Sequence, residues 1–444
     1  MKVRELKPFF HKRIALLGLG LENLALLRLF LKYKVDCLIT ICDLRSEKQL
    51  GERCREFKKH KNIFWQLGKS FNQNLFSFDL LFRSPGWPLF CPGIREALKK
   101  KVRVSSPMNL FFELSSTKNI IGVTGTKGKG TTASLVYHIL ETGGKSVYLG
   151  GNIGVAPLEF VDKLKKSDWV VLELSSFQLE DLKFSPRISI VTNIYREHLA
   201  AADPFNPNYH KNFKKYIKSK LNISHYQKKS DFLFLNEKLR SVLSKFKNYW
   251  GSGKKIYFSK SDLASRLIGE FNQENIGAAV MVVEILKIEP ETIIQSVKTF
   301  KGLEHRLEFV LEKNGVKYYD NSFSTTPEST IMDLKSFFQP IVLMVGGADK
   351  GADFKRLAKV IRDKVKFVVL LSGEATPRLK KELVKVNYPK KNLKLVFKMR
   401  EAMSAAEKEA KSGDIILLSA ACASFGMFKN YKERGDLFKK YARQ

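Results

Sequence analysis

Acidic side chains are scarce in this chain: 44 aspartates and glutamates stand against 78 lysines and arginines over 444 residues, a formal net charge of +34. Such an excess raises nucleic acid or an anionic membrane as partners. The clusters "FKKHK", "LKKKVR" and "KNFKKYIKSK" are spread along the chain, however, and no nucleic-acid module accompanies them. Solvated helix faces and attraction for a polyanionic small substrate are the favoured reading, with no nucleic-acid partner. Cysteines number only five, scattered and without metal-ligand spacing, which excludes a disulfide framework and fits a reducing cytoplasm. No apolar run reaches the roughly 18 residues of a membrane span. The early stretch "RIALLGLGLENLALLRLF" is interrupted by Glu22, Asn23 and Arg28, and no small-residue cleavage site follows, so it reads as mature structure. Internal repeats and low-complexity segments are also missing.

What is present is a succession of strand–helix units. "RIALLGLG" is a short strand entering a glycine turn, "LENLALLRLFLKY" has helical spacing, and "CLITICD" is a second strand ending on Asp43. "DLLFRSPG" is a further strand emptying into Pro85–Gly86. "WVVLELSS" and "ISIVTNI" are continuous apolar strands, as a parallel sheet covered on both faces requires. "PIVLMVGG", "KFVVLLSG" and "DIILLSAA" close on small residues with helical stretches between them. The expected fold is α/β, in three consecutive domains: a Rossmann-like domain over 1–106, a P-loop domain over 107–301 and a second Rossmann-like domain over 302–444. Ligands in such sheets lie beyond the strand C-termini. Gly18–Gly20, Gly125–Gly128, Gly346–Gly347 and Ser419–Ala421 are therefore expected to face sites.

The block "GTKGKGTT" at Gly125–Thr132 carries the clearest chemistry. Backbone N–H groups of a glycine turn, and the helix that follows, suit phosphate oxygens, and Lys129 adds a point charge. The spacing departs from the common P-loop, and Gly130 stands where a magnesium-binding hydroxyl is usual. Thr131 or Thr132 is expected to supply that hydroxyl. Glu173 ends an apolar strand, an expensive place for a carboxylate unless it meets a cation. His198 follows a neighbouring strand, so Glu173 and His198 beside the loop make a candidate magnesium site. Asn272 and Asn275 lie one helical turn apart and together suit an adenine edge. Arg306 adds a cation at a domain junction, and Lys350 one just after a strand exit.

These motifs, with "GGNIG", "LELSSFQLE", "YIKSKLNI", "FNQEN", "GLEHRLE", "GGADKGADF" and "LSAACASFGMFKNYKERG", run in the order of the Mur ligase family, which the chain resembles over essentially its whole length. The C-terminal "ACASF…FKNYKERG" and the N-terminal strand–helix–strand unit resemble the D-glutamate-adding branch. The resemblance implies an ATP- and Mg2+-dependent amide ligase of peptidoglycan precursor synthesis. It would act in the cytoplasm and as a monomer on UDP-N-acetylmuramoyl-L-alanine and D-glutamate, through an acyl phosphate. It implies a uridine diphosphate site at Gly18, Leu19, Gly20, Leu21, Asp43, Arg45, Ser84, Pro85 and Gly86, with Asn152, Ser175, Gln178 and His198 toward the sugar. ATP would meet Gly125, Thr126, Lys127, Gly128, Lys129, Gly130, Thr131, Thr132, Asn272, Asn275 and Arg306. Lys129, Glu173, His198 and Lys220 would be catalytic. The metal would be held by Thr131, Glu173, His198 and Lys220, the last as N6-carboxylysine. Thr325, Lys350, Ser424, Phe425 and Tyr431 would take D-glutamate, and closure on ATP is expected.

Several positions depart from the family pattern. Asn321 and Phe323 stand where many members carry Asp and Lys, and Ala200 replaces an acidic residue after His198. Glu22 and Asn23 follow the first glycines where Thr or Ser and Gly are common, and Phe271 precedes Asn272 where His is frequent. The stretch from His198 to Lys220 is longer than in many members. Competing readings are another ligase of the superfamily, including a folylpolyglutamate synthase, and a basic P-loop ATPase acting on nucleic acid. A nicotinamide oxidoreductase is a third, weakened because Asn23 occupies the third fingerprint glycine position.

Overall fold

A computed structural model describes residues 3–201, 205–349 and 351–444. The chain divides into two compact units, one of residues 1–262 and 274–297, the other of 263–273 and 298–444.

The first unit holds two parallel sheets. In the first sheet the strands are β1 (Arg13–Leu17), β2 (Leu38–Asp43), β3 (Ile63–Leu67), β4 (Leu80–Arg83) and β5 (Arg103–Ser105), ordered β3-β2-β1-β4-β5. Helix α1 (Leu21–Lys32) crosses from β1 to β2. Its Phe30 ring packs 5.2 Å from Phe9 and 6.3 Å from Phe82, a burial that contributes about 2–3 kcal/mol for a phenylalanine. The strand order reverses beside β1, so the crevice at the C-termini of β1 and β4 is where a ligand has room.

The second sheet is built from β6 (Ile120–Thr124), β7 (Val147–Gly151), β8 (Trp169–Glu173), β9 (Ile188–Val191), β10 (Phe232–Asn236) and β11 (Lys254–Phe258), ordered β11-β10-β9-β6-β8-β7. β6, β8 and β9 lie side by side at the centre, and every residue of β6 and β9 is buried. That two-sided burial is why these strands read as unbroken apolar runs rather than alternating ones. Helix α2 (Lys129–Thr142) follows β6, the short α3 (Ser176–Leu179) follows β8, and α4 (Phe213–Leu221) lies between β9 and β10. One continuous apolar core runs through both sheets of this unit.

The second unit is organised on β12 (Glu308–Lys313), β13 (Val316–Asn321), β14 (Ile341–Val345), β15 (Val365–Leu371), β16 (Leu393–Val396) and β17 (Ile415–Ser419), ordered β12-β13-β17-β14-β15-β16. Only β12 is antiparallel, joined to β13 by a turn through Asn314 and Gly315. Helix α5 (Glu270–Ile285) begins in the second unit and ends in the first, α6 (Pro327–Lys335) follows β13, and α7 (Tyr431–Ala442) closes the chain. Among the described residues no helix is long and apolar enough to cross a membrane, and all five cysteines are buried free thiols.

Candidate active site

The glycine loop leaves β6 and enters α2. Gly125 has φ +151° and Gly128 φ +80°, and a Cβ on either would collide, with Thr192 Oγ1 at 1.9 Å and with Asn275 Oδ1 at 2.1 Å. Only glycine fits at these two positions. The loop is held from β9: Thr126 N donates to Asn193 O (2.8 Å), Lys127 N to Asn193 Oδ1 (2.8 Å) and Thr192 Oγ1 to Lys127 O (2.7 Å). Lys129 Nζ curls back to Thr126 O at 3.0 Å, over the loop it belongs to. Thr132 is fully buried and its hydroxyl donates to Asn275 Oδ1 (3.3 Å), whereas the Thr131 side chain makes no such bond among the described residues.

Glu173 sits at the end of β8, 2% exposed. Its Oε1 accepts from Asn152 Nδ2 at 2.9 Å, while its Oε2 is buried without a donor among the described residues. A carboxylate oxygen left bare in the interior calls for a cation. Lys220, on the inner face of α4, is equally buried and donates from Nζ to Gly125 O at 2.6 Å. Burial first, and then the charge of Lys129, lower its pKa well below the usual lysine range. His198 follows β9 with φ +58°, in the left-handed region. Desolvation by the surrounding protein, then Lys220 and Lys129, outweigh Glu197 and lower its pKa to about 4, so the ring is neutral at pH 7. A neutral imidazole, a bare carboxylate oxygen and a lysine amine around one phosphate loop fit a divalent metal carried with a nucleotide. The imidazole meets the Phe177 ring at 5.1 Å, and Phe177 stacks on His210 (4.8 Å, 8°), whose Nε2 lies 2.9 Å from Ser176 Oγ.

Ser175 and Gln178 form a capping box on α3: Ser175 Oγ accepts from Gln178 N, and Gln178 Oε1 from Ser175 N at 2.7 Å. Gln178 Nε2 then donates to Glu22 Oε1 at 2.5 Å. Glu22 is buried on α1, and its Oε2 has no donor among the described residues. Desolvation raises its pKa to about 7, against the lowering influence of Gln178 and Arg83 and with a small addition from Asp181. The folded chain thus keeps a proton that the unfolded chain releases near the ordinary glutamate value, and folding loses stability as pH climbs from there to about 7. Glu22→Gln should therefore flatten this slope and stabilise the first unit by about 2–3 kcal/mol at pH 8 with little change at pH 4. Urea unfolding of both proteins across that pH range is the measurement.

Gly18, Gly20, Asp43, Arg45, Ser84 and Gly86 line one cavity at the β1/β4 crevice. Asp43 accepts from Leu19 N (2.7 Å) and pairs with Arg45 Nη2 (2.6 Å). Burial alone would raise its carboxyl, but these donors hold it below the usual range. Leu19 is buried in the core, Leu21 is exposed at the start of α1, and the Pro85 carbonyl accepts from Asn208 Nδ2 at 2.7 Å. Phe205, Asn206 and Pro207 close the cavity to about 50 Å3, with Asn206 Oδ1 2.4 Å from where a Cβ on Gly86 would be. This wall comes from the long stretch between His198 and Lys220, whose place in the fold was not legible from its sequence. Asn23 was also unreadable: its amide ties Gly18 O (2.8 Å) to Leu17 O and Phe82 O (3.3 Å each), joining β1 to β4.

In the second unit, Asn272 Nδ2 donates to Ile268 O (2.8 Å). The Arg306 guanidinium lies 3.9 Å over the Phe323 ring, which meets Tyr431 edge-on at 5.1 Å. Ala348 N donates to Ala423 O at 2.9 Å, so the exits of β14 and β17 adjoin. Thr325 is half-buried, Ser424 buried and Phe425 exposed; Lys350 lies outside the described residues. Arg434 on α7 is fully buried and braces these segments, with Nη2 on Ser322 O (2.7 Å) and Nη1 on Cys422 O (3.2 Å). His305, Glu308 and Asp320 also cluster, but Lys439 Nζ lies 3.3 Å from Glu308 and already supplies the positive charge.

Asn321 has a physical reason. Its Nδ2 donates to Asp333 Oδ2 at 2.7 Å, and Ser419 Oγ donates to the same oxygen. An aspartate there would face a buried carboxylate at contact distance. Asn321→Asp is expected to destabilise the second unit by about 2–4 kcal/mol, read as a lowered thermal midpoint at pH 8.

Residues 123–264 match the family model described as the Mur ligase middle domain, and residues 305–422 match that of the Mur ligase glutamate ligase domain. With full-length relatives above 30% identity, the chain belongs to the Mur ligase family. Among those relatives is the UDP-N-acetylmuramoylalanine--D-glutamate ligase of Acetivibrio thermocellus, 36% identical over 98% of this chain and 96% of that protein. The ligase of the same name from Clostridium tetani is 35% identical over 99% and 98%. Among solved structures, the UDP-N-acetylmuramate-alanine ligase of Thermotoga maritima aligns with a TM-score of 0.57 at 17% identity, over 98% of this chain and 99% of that one. The MurF ligase of the same organism aligns at 0.59 and 15%, over 98% and 96%. The α/β fold is thus shared with those two solved ligases.

Proposed function

We propose that the chain joins D-glutamate to UDP-N-acetylmuramoyl-L-alanine at the expense of ATP, in peptidoglycan precursor synthesis in the cytoplasm. The observation that carries this reading is full-length likeness to ligases of that name, in a chain whose phosphate loop adjoins the bare buried oxygen of Glu173. Residues 1–106 hold the nucleotide sugar, 107–301 the ATP, and 302–444 the amino acid.

The substrate carboxylate attacks the γ-phosphate, giving an acyl phosphate and ADP. The amine of D-glutamate then attacks the acyl carbon, and a tetrahedral intermediate collapses to the amide and inorganic phosphate. Such chemistry needs positioning and charge neutralisation rather than a protein nucleophile. Lys129 and the N–H groups of Gly125–Thr132 bind and orient the phosphates. Glu173, His198, the Thr131 hydroxyl and Lys220 as N6-carboxylysine would hold Mg2+, which neutralises phosphate charge when bound. The lowered pKa of Lys220 supports the carbamate, because a neutral amine is the form that adds CO2. Asn152 orients both Glu173 and the sugar; Ser175 and Gln178, through their capping box, fix the floor on which the sugar lies. Asn275 and Asn272 serve the adenine and Arg306 the phosphates. Thr325, Lys350, Ser424, Phe425 and Tyr431 receive D-glutamate.

ADP release by the purified protein with ATP and Mg2+ tests the reading. Release should require both UDP-N-acetylmuramoyl-L-alanine and D-glutamate. Release with another amino acid would move the specificity, and release indifferent to the nucleotide sugar would overturn the reading.

A further inference from the structure

The lysine-rich stretch at Lys211–Lys220 has two faces, and the ligase reading uses one of them. Tyr216 and Lys220 point inward, Tyr216 Oη lying 2.8 Å from Thr126 Oγ1 and Lys220 Nζ donating to Gly125 O. Lys215 and Lys218, three residues apart on α4, fall on the other face, and Lys211 lies just ahead of the helix, before its Asn212 N-cap. There they line a cavity of about 620 Å3 together with Tyr209, Tyr226 and Tyr249. None of the three lysines forms an ion pair among the described residues. The cavity's carboxylate, Glu180, stands 3.8 Å from Arg83 Nη1 and 3.5 Å from Asn208 Nδ2, and Lys215 adds to the positive charge around it. Lys218 Nζ sits 4.0 Å from the centre of the Tyr249 ring. Hydrogen bonding to Lys218, with the charges of Lys214 and Lys215 beyond, lowers the Tyr249 phenol pKa.

We propose that this cavity is a second anion site in the first unit, which takes a phosphorylated nucleoside: the three lysines hold its phosphates and the tyrosines its ring. The volume lies in the range of small-molecule sites and far exceeds a lone phosphate. Ammonium groups meeting in one concavity lined by aromatic faces match a compact ligand with both a polyanionic and a planar end. A polymer or a lipid surface would instead want a charged stripe or a flat basic face. The site is separate from the phosphate loop yet adjoins it. His210 forms part of the cavity wall and stacks on Phe177, which meets His198, and the helix carrying Lys218 carries Lys220 on its opposite side. An occupant therefore bears on two groups of the ligase centre, though its binding does not depend on the ligase reading.

Lysine acylation mapped by mass spectrometry tests the proposal on the full chain, with ADP as probe. ADP at ten times its Kd should slow acylation of Lys211, Lys215 and Lys218 by about tenfold with one shared midpoint. The protection should persist in Lys129→Ala, which weakens the phosphate loop. In Lys215→Glu/Lys218→Glu, Lys211 should lose its protection while the thermal midpoint of the first unit is retained. Unchanged protection of Lys211 in that double variant would overturn the site. So would equal protection by sulfate at matched ionic strength, or protection by phosphatidylglycerol vesicles with none by ADP.

Discussion

Replacing Glu173 by Gln is expected to lower kcat by about 10^2- to 10^3-fold while leaving the fold intact. The side chain keeps its size, and its Oε1 can still accept from Asn152 Nδ2. What changes is the second atom. Glu173 Oε2 is the buried oxygen with no donor among the described residues, and an amide there would present N–H groups to the space where a cation belongs. The lost charge should appear as a raised Mg2+ requirement together with the lower kcat, and the KM for D-glutamate should hardly move. Steady-state turnover over a Mg2+ series, with thermal unfolding as the control, separates this from a folding defect. An unchanged Mg2+ requirement would remove Glu173 from the metal site.

The parallel-sheet architecture and the phosphate loop were legible because each is a local pattern. Strands such as β6 and β9 are buried on both faces and read as unbroken apolar runs, and the glycines at strand ends mark exits where backbone must approach closely. Contacts that couple distant residues left no such pattern. Asn23 looked like a failed fingerprint glycine, yet its amide is the staple between β1 and β4. Asn321 looked like a lost aspartate until Asp333 was seen opposite it. Arg434 sits in a helix rich in charged residues, and nothing in that pattern distinguishes it, the fully buried one, from its solvated neighbours. The wall of Phe205–Pro207 on the β1/β4 crevice depends on where a long loop folds back, which hydrophobic period does not encode.

The same limit hid Arg83, and its partner carries the second large effect. Arg83 ends β4 in an apolar strand and is 1% exposed. Asp181, just beyond α3, grips it in a fork: Nε to Oδ2 and Nη2 to Oδ1, both 2.8 Å. The remaining guanidinium donors reach Trp87 O (2.9 Å) and Phe177 O (2.8 Å), so the group is fully satisfied only while Asp181 is present. Burial alone would lower the Arg83 pKa, but Asp181 and then Glu180 outweigh it, so the group stays charged at every ordinary pH. Asp181→Ala therefore strands a buried cation, since Glu180 at 3.8 Å is too distant to replace the fork. The expected loss is about 3–5 kcal/mol, seen as a fall in the urea midpoint of the first unit. A double variant with Arg83→Met should recover much of that loss, because an apolar side chain of similar length removes the stranded charge and fills the same space. The recovery discriminates between mechanisms: if Asp181 mattered only as a packing group, adding Arg83→Met would deepen the loss rather than relieve it.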